Sequence, residues 1–214
     1  MSSDAEQVEG APRGSRRDAV REFKRGLIRD AAKQIFTERG IDAASMREIA
    51  QTAGYTTGSM YTYFATKEDL YAEILRDTLE AQYAAVVEAA ESVEPGDGCR
   101  TEAALRRFWQ FYDNPADFDV GFHLYGGARP AGLNRDLDDE LNARLDRVMI
   151  AIGECMVADG LVSAEKAHHR AVVHTTSIFG LLLMTKTGRL RSVNEKPAPV
   201  LESYLRIATH KDQE

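Results

Sequence analysis

The segment 45–70, SMREIAQTAGYTTGSMYTYFATKEDL, decides how this chain folds. Ser45 followed by Glu48 is a capping box: the serine oxygen accepts an orphan backbone N–H at a helix start, and the glutamate reaches back to the cap. Met46, Ile49 and Ala50 give that short helix an apolar face before Ala53-Gly54-Tyr55 breaks it. Glycine suits the break, because the left-handed conformation that ends a helix costs a residue with a Cβ more. Thr56 can cap a second helix carrying residues 57–64, and Thr66 with Asp69 repeats the capping signature for a third. Three helix starts within 22 residues, with a glycine turn between the first two, predict a helix-turn-helix.

Around this segment the chain runs to 214 residues, 43% hydrophobic and 29% charged, ordinary proportions for a soluble globular protein able to bury a core. A formal net charge of −7 argues, taken globally, against a nucleic-acid partner. The distribution reverses that reading. Residues 13–67 hold 11 Lys and Arg against 6 Asp and Glu, whereas residues 68–214 hold 16 against 25. A basic end on an acidic remainder is expected when that end faces phosphates. Upstream, residues 1–17 are polar and read as a flexible arm ending in Arg13, Arg16 and Arg17. Over 18–39, Phe23, Leu27, Ile28, Ala31, Ala32, Ile35 and Phe36 recur at helical spacing opposite Arg21, Lys24, Arg25, Arg29 and Lys33, and Gly40 stops the helix. The expected organisation is an arm over 1–17, a helix-turn-helix domain over 18–70 and a second helical domain over 71–214.

Ile28, Ala31, Ala32, Ile35, Phe36 and Gly40, then Ser45, Glu48, Ile49, Ala50, Ala53 and Gly54, then Gly58, Met60, Tyr61, Tyr63 and Phe64, then Lys67, Glu68 and Leu70 form a dense set. Over residues 20–72 it resembles the DNA-binding domain of TetR-family transcriptional regulators. The resemblance implies an all-α fold of about nine helices, with an N-terminal three-helix DNA-binding domain and a C-terminal helical domain for ligand binding and dimerisation. It implies a repressor that sits as a homodimer on a palindromic operator in double-stranded DNA and is released by a small-molecule inducer. Tyr55 and Thr57 stand where smaller or basic residues are frequent in that family.

The residues support the same reading physically. A recognition helix must be slim at its N-terminus to enter the major groove, and Thr56, Thr57 and Gly58 are. Thr57 and Thr62 can bond base edges or touch thymine methyl groups. Tyr61 and Tyr63 place hydroxyls for phosphates or bases, and Lys67 adds charge at the start of the next helix. With Arg47 these are the expected DNA-binding residues. Met60 and Phe64 are expected in the core, and a packed core aromatic is the alternative for each tyrosine.

Downstream, the pattern predicts a helix over 66–91, a loop over 94–98, helices over 100–112, 133–158 and 163–187, a last helix opening at Asn194 or Glu195, and no strand. Phe108, Trp109, Tyr112, Phe122, His123 and Tyr125 mix apolar faces with polar tips, as small-molecule sites do. With Met149 and His174 they are the candidate ligand-binding residues, tight core packing being the alternative. Residues 168–184 are more apolar than a one-faced helix. Val172, Val173, Thr176, Phe179, Gly180 and Leu183 form a stripe, with Gly180 permitting close approach, so this helix is expected to meet core on one side and a partner on the other. In the resembled family the last two long helices pair with those of a second subunit, which presents two recognition helices to a palindrome.

Other chemistries find little support. His168, His169 and His174 lack a one-sided ligand spacing, and neither a metal nor a cofactor is expected. Cys99 and Cys155 lie 56 residues apart and read as reduced thiols. No GxSxG, GxGxxG or phosphate-loop motif occurs, so no enzyme is expected. The rivals are an all-α enzyme containing a helix-turn-helix-like substructure and an architectural DNA binder without a ligand. The N-terminus lacks the apolar segment of a secretory signal, and the longest apolar run, 178–184, falls short of a bilayer, which together predict a cytoplasmic chain with no membrane partner.

Overall fold

A computed structural model describes residues 13–94, 99–114, 117–118 and 135–210. Among the described residues the chain is all-α, with nine helices and no strand: α1 Arg13–Arg39, α2 Met46–Thr52, α3 Thr57–Met60, α4 Lys67–Glu91, α5 Arg100–Asp113, α6 Arg135–Ala158, α7 Ala164–Lys186, α8 Arg189–Ser192 and α9 Pro197–Ala208. It divides into two compact units, Met1–Leu70 and Tyr71–Glu214.

In the first unit local chemistry sets the helix ends. Glu48 N–H donates to Ser45 Oγ at 3.2 Å, and Ser45 N–H donates back to Glu48 Oε2 at 3.2 Å, completing the capping box. Gly54, at φ +76°, closes α2: its N–H bonds Gln51 O at 3.1 Å and that of Tyr55 bonds Ala50 O at 2.8 Å, which is the Schellman pattern. The side chains of Ile28, Ala32, Ile49, Ala50, Met60 and Leu70 are fully buried and tie α1, α2, α3 and the first turn of α4 together. Each large one contributes about 1.5–3 kcal/mol by leaving water.

Two expectations for α1 need correction. The helix begins at Arg13, before Asp18, so Arg16 and Arg17 are helical and exposed, while residues 1–12 lie outside the described residues. Phe23 is 68% exposed and Leu27 40%, so neither joins the packed stripe. Helical spacing identifies a face but not how far along it a partner extends, and the burial on α1 starts at Ile28.

In the second unit α4, α5, α6, α7 and α9 surround a core that includes Val86, Leu105, Phe108, Tyr112, Val148, Ile152, Ile178, Leu182 and Leu201. Helices α6 and α7 form a hairpin whose close approach is at Gly153: a Cβ there would stand 3.2 Å from the backbone carbonyl of Ala167. Gly180, expected to serve such a contact, has open space around its Cβ position. Of the expected stripe, Phe179 and Leu183 turn inward to the core.

Polar contacts tie these helices together. Arg76 on α4 holds Glu140 on α6 through two bonds of 2.8 Å, and Glu80 pairs with Arg144 and Arg147. Arg106 on α5 bridges Glu102 and Glu202 of α9. The start of α5 is capped from just beyond the end of α6 rather than by its own Cys99. Asp159 accepts the N–H of Thr101 at 2.7 Å and the Cys99 thiol at 3.1 Å. Finally, α9 opens at Pro197 rather than at Asn194 or Glu195. Asn194 has φ 60° and ends the turn after α8, and a proline in the first turn of α9 sacrifices only an N–H with no helical partner.

Candidate functional site

The candidate residues lie in two places, the α2–α3 edge of the first unit and the interior of the second.

Thr56 caps α3, its Oγ1 accepting the Ser59 N–H at 3.2 Å. The regular helix is shorter than the 57–64 expected from sequence. It gives way after Met60 to tighter turns, with Thr62 N–H bonding Ser59 O and Tyr63 N–H bonding Met60 O. The Thr62 hydroxyl reinforces this by donating to Ser59 O at 2.7 Å. Met60 and Phe64 face the core, as their spacing predicts.

The outward side of this segment is slim and polar. Gly58 is exposed with nothing within 4 Å of its Cβ position, Thr57 is half-buried, and Thr56 and Thr62 are exposed. Tyr61 is 53% exposed, so its ring and hydroxyl stand free of the core. Tyr63 differs: half-buried, its ring lies 6.2 Å from that of Tyr55, and its carbonyl accepts the Arg25 guanidinium at 2.8 Å. That guanidinium also sits 4.4 Å from the centre of the Phe64 ring, so Arg25 of α1 buttresses the end of the segment.

Lys67 has a definite place in the fold. Its ammonium donates to the carbonyls of Ile41 at 3.0 Å, Asp42 at 3.2 Å and Ala44 at 3.4 Å. An ammonium has three N–H bonds, and these three carbonyls use them all. The lysine therefore pins the loop before α2 to the start of α4, where the sequence suggested a phosphate contact. Arg39 is likewise paired, with Glu48 at 2.7 Å, and Arg29 with Glu22 at 2.8 Å. The exposed basic side chains of this unit include Arg16, Arg17 and Arg21 on α1 and Arg47 on α2.

Of the eight ligand candidates in the second unit, Phe108, Trp109, Tyr112, Met149 and His174 are all buried in its core, and Phe122, His123 and Tyr125 lie outside the described residues. Tyr112 stands edge-on to Phe108, Phe111 and Phe179 at 5.3–5.7 Å, and Phe118 stacks on Phe179. Both His174 nitrogens are engaged, Nε2 accepting from Arg170 at 3.1 Å and Nδ1 lying 2.7 Å from the Tyr204 hydroxyl. The Thr175 hydroxyl bonds the Met149 sulfur at 2.9 Å. An outer cleft of about 260 Å³ lies between Val86, Ala90, Arg100, Ala151 and Cys155, away from these five. Burial pushes the Cys155 thiol up to about 11, so it is a poor nucleophile.

Sequence reading missed Thr78 and Gln82 on α4, both buried. The signal was present: two polar residues one turn apart within a helix whose Ile74, Leu75, Leu79 and Val86 mark it as core-facing. Among the described residues no three His, Cys, Asp or Glu side chains group as a metal site, and no helix is long and apolar enough to cross a membrane.

Residues 28–74 match the family model for bacterial regulatory proteins of the tetR family. Over 69 residues the chain is 41% identical to the HTH-type transcriptional repressor KstR2 of Mycobacterium tuberculosis, an alignment covering 31% of this chain and 34% of that protein. It is 31% identical over 133 residues to the HTH-type transcriptional regulator YdgC of Bacillus subtilis, covering 58% of this chain and 65% of YdgC. The alignments thus span about a third of the first relative and just under two thirds of the second. The crystal structure of the regulatory protein SCO4313 superposes with a TM-score of 0.73 at 21% identity, over 92% of this chain and 98% of that one, a likeness of fold.

Proposed function

We propose, because the chain belongs to the TetR family of bacterial transcriptional regulators, that it is a ligand-responsive repressor acting as a homodimer on a palindromic operator. The observation that carries the DNA-binding part is the capped α2–turn–α3 segment with its slim, polar outer side. In this reading Thr57, Gly58 and Thr62 approach base edges in the major groove, while Thr56, Tyr61 and Arg47 reach the phosphates that fix the register. Tyr63 and Lys67 act behind this surface, holding the segment in position. The net charge of residues 13–67 supports the same polarity, as the long-range attraction of a basic unit to the duplex is independent of sequence.

Dimerisation is placed on α7 and α9. The run 171–185 carries no charge, and its outer face exposes Val172, Val173, Thr176, Ser177, Gly180 and Met184, with Ile207 70% exposed on α9. An uncharged face with three large apolar side chains and an open glycine fits a two-fold helix-packed interface. The inducer is placed inside the second unit, beside Tyr112. It acts by population shift: the bound form favours a spacing of the paired recognition segments that no longer matches successive major grooves. Such a protein works in the cytoplasm, where its DNA lies.

The test is fluorescence anisotropy of the full chain on duplexes tiled across the DNA upstream of its own coding region. One duplex should bind selectively, and Tyr61→Phe and Arg47→Ala should each weaken that complex about tenfold without lowering the melting temperature, a loss of about 1.4 kcal/mol. Unchanged affinity in both variants would remove the assigned surface.

A further inference from the structure

The interior of the second unit holds polar atoms that its own packing leaves unanswered. Gln82 is fully buried on α4, and the Tyr112 hydroxyl donates to its Oε1 at 3.1 Å. The other end of that planar amide, Nε2, has no hydrogen-bond partner. Thr78, 4% exposed and one turn earlier on the same buried face, has an Oγ1 in the same state. Buried donors are almost always satisfied, because stripping one of water without a replacement is costly. Two such atoms within one turn, one of them on the amide that meets Tyr112, mark a place awaiting an acceptor.

The surroundings define that acceptor's charge. Among the described residues the buried polar side chains are Thr78, Gln82, Thr101, His174 and Thr175, with no Lys or Arg. His174 has both nitrogens engaged, with Arg170 and Tyr204. Among the described residues no buried cation would then meet an anion placed beside Gln82, and an apolar interior strongly disfavours a charge so placed. A neutral oxygen carries no such cost. Tyr112, whose hydroxyl meets Gln82, stands edge-on to Phe108 and Phe179, and rings of this kind suit an apolar body.

We infer that the inducer is an uncharged molecule whose apolar body carries a hydrogen-bond acceptor such as a ketone or ester oxygen, received by the Gln82 amide N–H and the Thr78 hydroxyl. This rests on the proposed inducer site and names its chemistry. It also explains why an apolar helix face keeps two polar groups that weaken the free protein: they are completed only when the ligand is bound. A function-bearing interior commonly sacrifices stability in this way.

The test titrates the full chain with 2-undecanone, undecane and undecanoate, following thermal unfolding and binding. The ketone should raise the melting temperature most and bind at least tenfold more tightly than either the alkane or the carboxylate. Thr78→Val should raise the melting temperature of the free chain by about 2–4 °C while weakening ketone binding about tenfold. Gln82→Leu should abolish ketone binding, but it also removes the acceptor of Tyr112, so Thr78→Val is the decisive variant. The inference is overturned by undecanoate binding as tightly as the ketone, by no compound binding, or by a Thr78→Val chain that melts lower and binds the ketone unchanged. A crystal structure in which one ordered water answers both atoms and fills the space beside them overturns it as well. These titrations do not read operator DNA, so their failure leaves the DNA-binding proposal intact, and failure of the anisotropy test leaves them intact.

Discussion

Replacing Lys67 by Met separates two roles that the sequence alone confuses. The variant keeps the aliphatic stem and loses the ammonium, and with it the bonds to Ile41 O at 3.0 Å, Asp42 O at 3.2 Å and Ala44 O at 3.4 Å. Bonds to a charged group contribute about 1.5–3 kcal/mol each when sheltered. Here the third is long and the lysine is only half-buried, so the expected loss is about 2–3 kcal/mol. For a chain of this length that lowers the melting temperature by roughly 5–10 °C. Circular dichroism melting reads this directly. The second readout is the salt dependence of DNA binding, where each neutralised phosphate contributes about 0.9 to the slope of log K against log salt. Lys67→Met should leave that slope unchanged, whereas Arg47→Ala should flatten it by about 0.9. A Lys67→Met chain that melts like the parent and loses about 0.9 of slope would instead assign the lysine to the duplex.

Other substitutions test the packing and the electrostatics. Gly54→Ala, at φ +76°, should cost about 1–2 kcal/mol, while Gly58→Ala, with open space at its Cβ and ordinary backbone, should leave the melting temperature level or slightly higher yet weaken DNA binding; equal melting losses in both would contradict this. Gly153→Ala must push against the Ala167 backbone at 3.2 Å, and even after the helix propensity gained it should lower stability by about 1 kcal/mol; a higher melting temperature would show that α6 and α7 are not in contact there. Arg76 and then Arg144 hold the Glu140 carboxyl down to about 2, against the 4.5 of the free group. A carboxyl with a lowered folded pKa stabilises above the unfolded value, so this contribution, about 1 kcal/mol after screening, is complete above pH 4.5 and fades as pH falls towards 2. Glu140→Gln should make the melting temperature less steep across that window, and an unchanged profile would mean that the pair is not formed.

Which features could be read from the chain follows from the range of the forces involved. The Ser45–Glu48 box, the Gly54 turn and the Thr56 cap are contacts across three or four residues, so their partners stand beside them in the sequence and the helix-turn-helix was legible. The Lys67 carbonyls lie 23 to 26 residues away, and nothing local distinguishes a lysine that pins a loop from one that meets a phosphate. Phe23 and Leu27 fit the helical period yet stay exposed, because periodicity does not record where the covering helices end. The glycines make the same point. Within the chain the close approach falls at Gly153, which faces Ala167 only once α6 and α7 have folded against each other, whereas Gly180 opens onto the outer face proposed for a second subunit. Thr78 and Gln82 are of another kind: they break the apolar pattern of α4 where it should be strictest, and such a local inconsistency is where a functional site is to be sought.

In the proposed function the segment around α2 and α3 is one half of a two-fold DNA reader. Selection of binding sequences from a pool of randomised duplexes, using the full chain, tests it most directly. The expected result is an enriched inverted repeat with half-site centres about 10–10.5 base pairs apart or at a multiple of that spacing, and with Thr57→Ala altering the preferred base at one position in each half. A pool that shows no enrichment, or that yields a single unrepeated half-site, would contradict it.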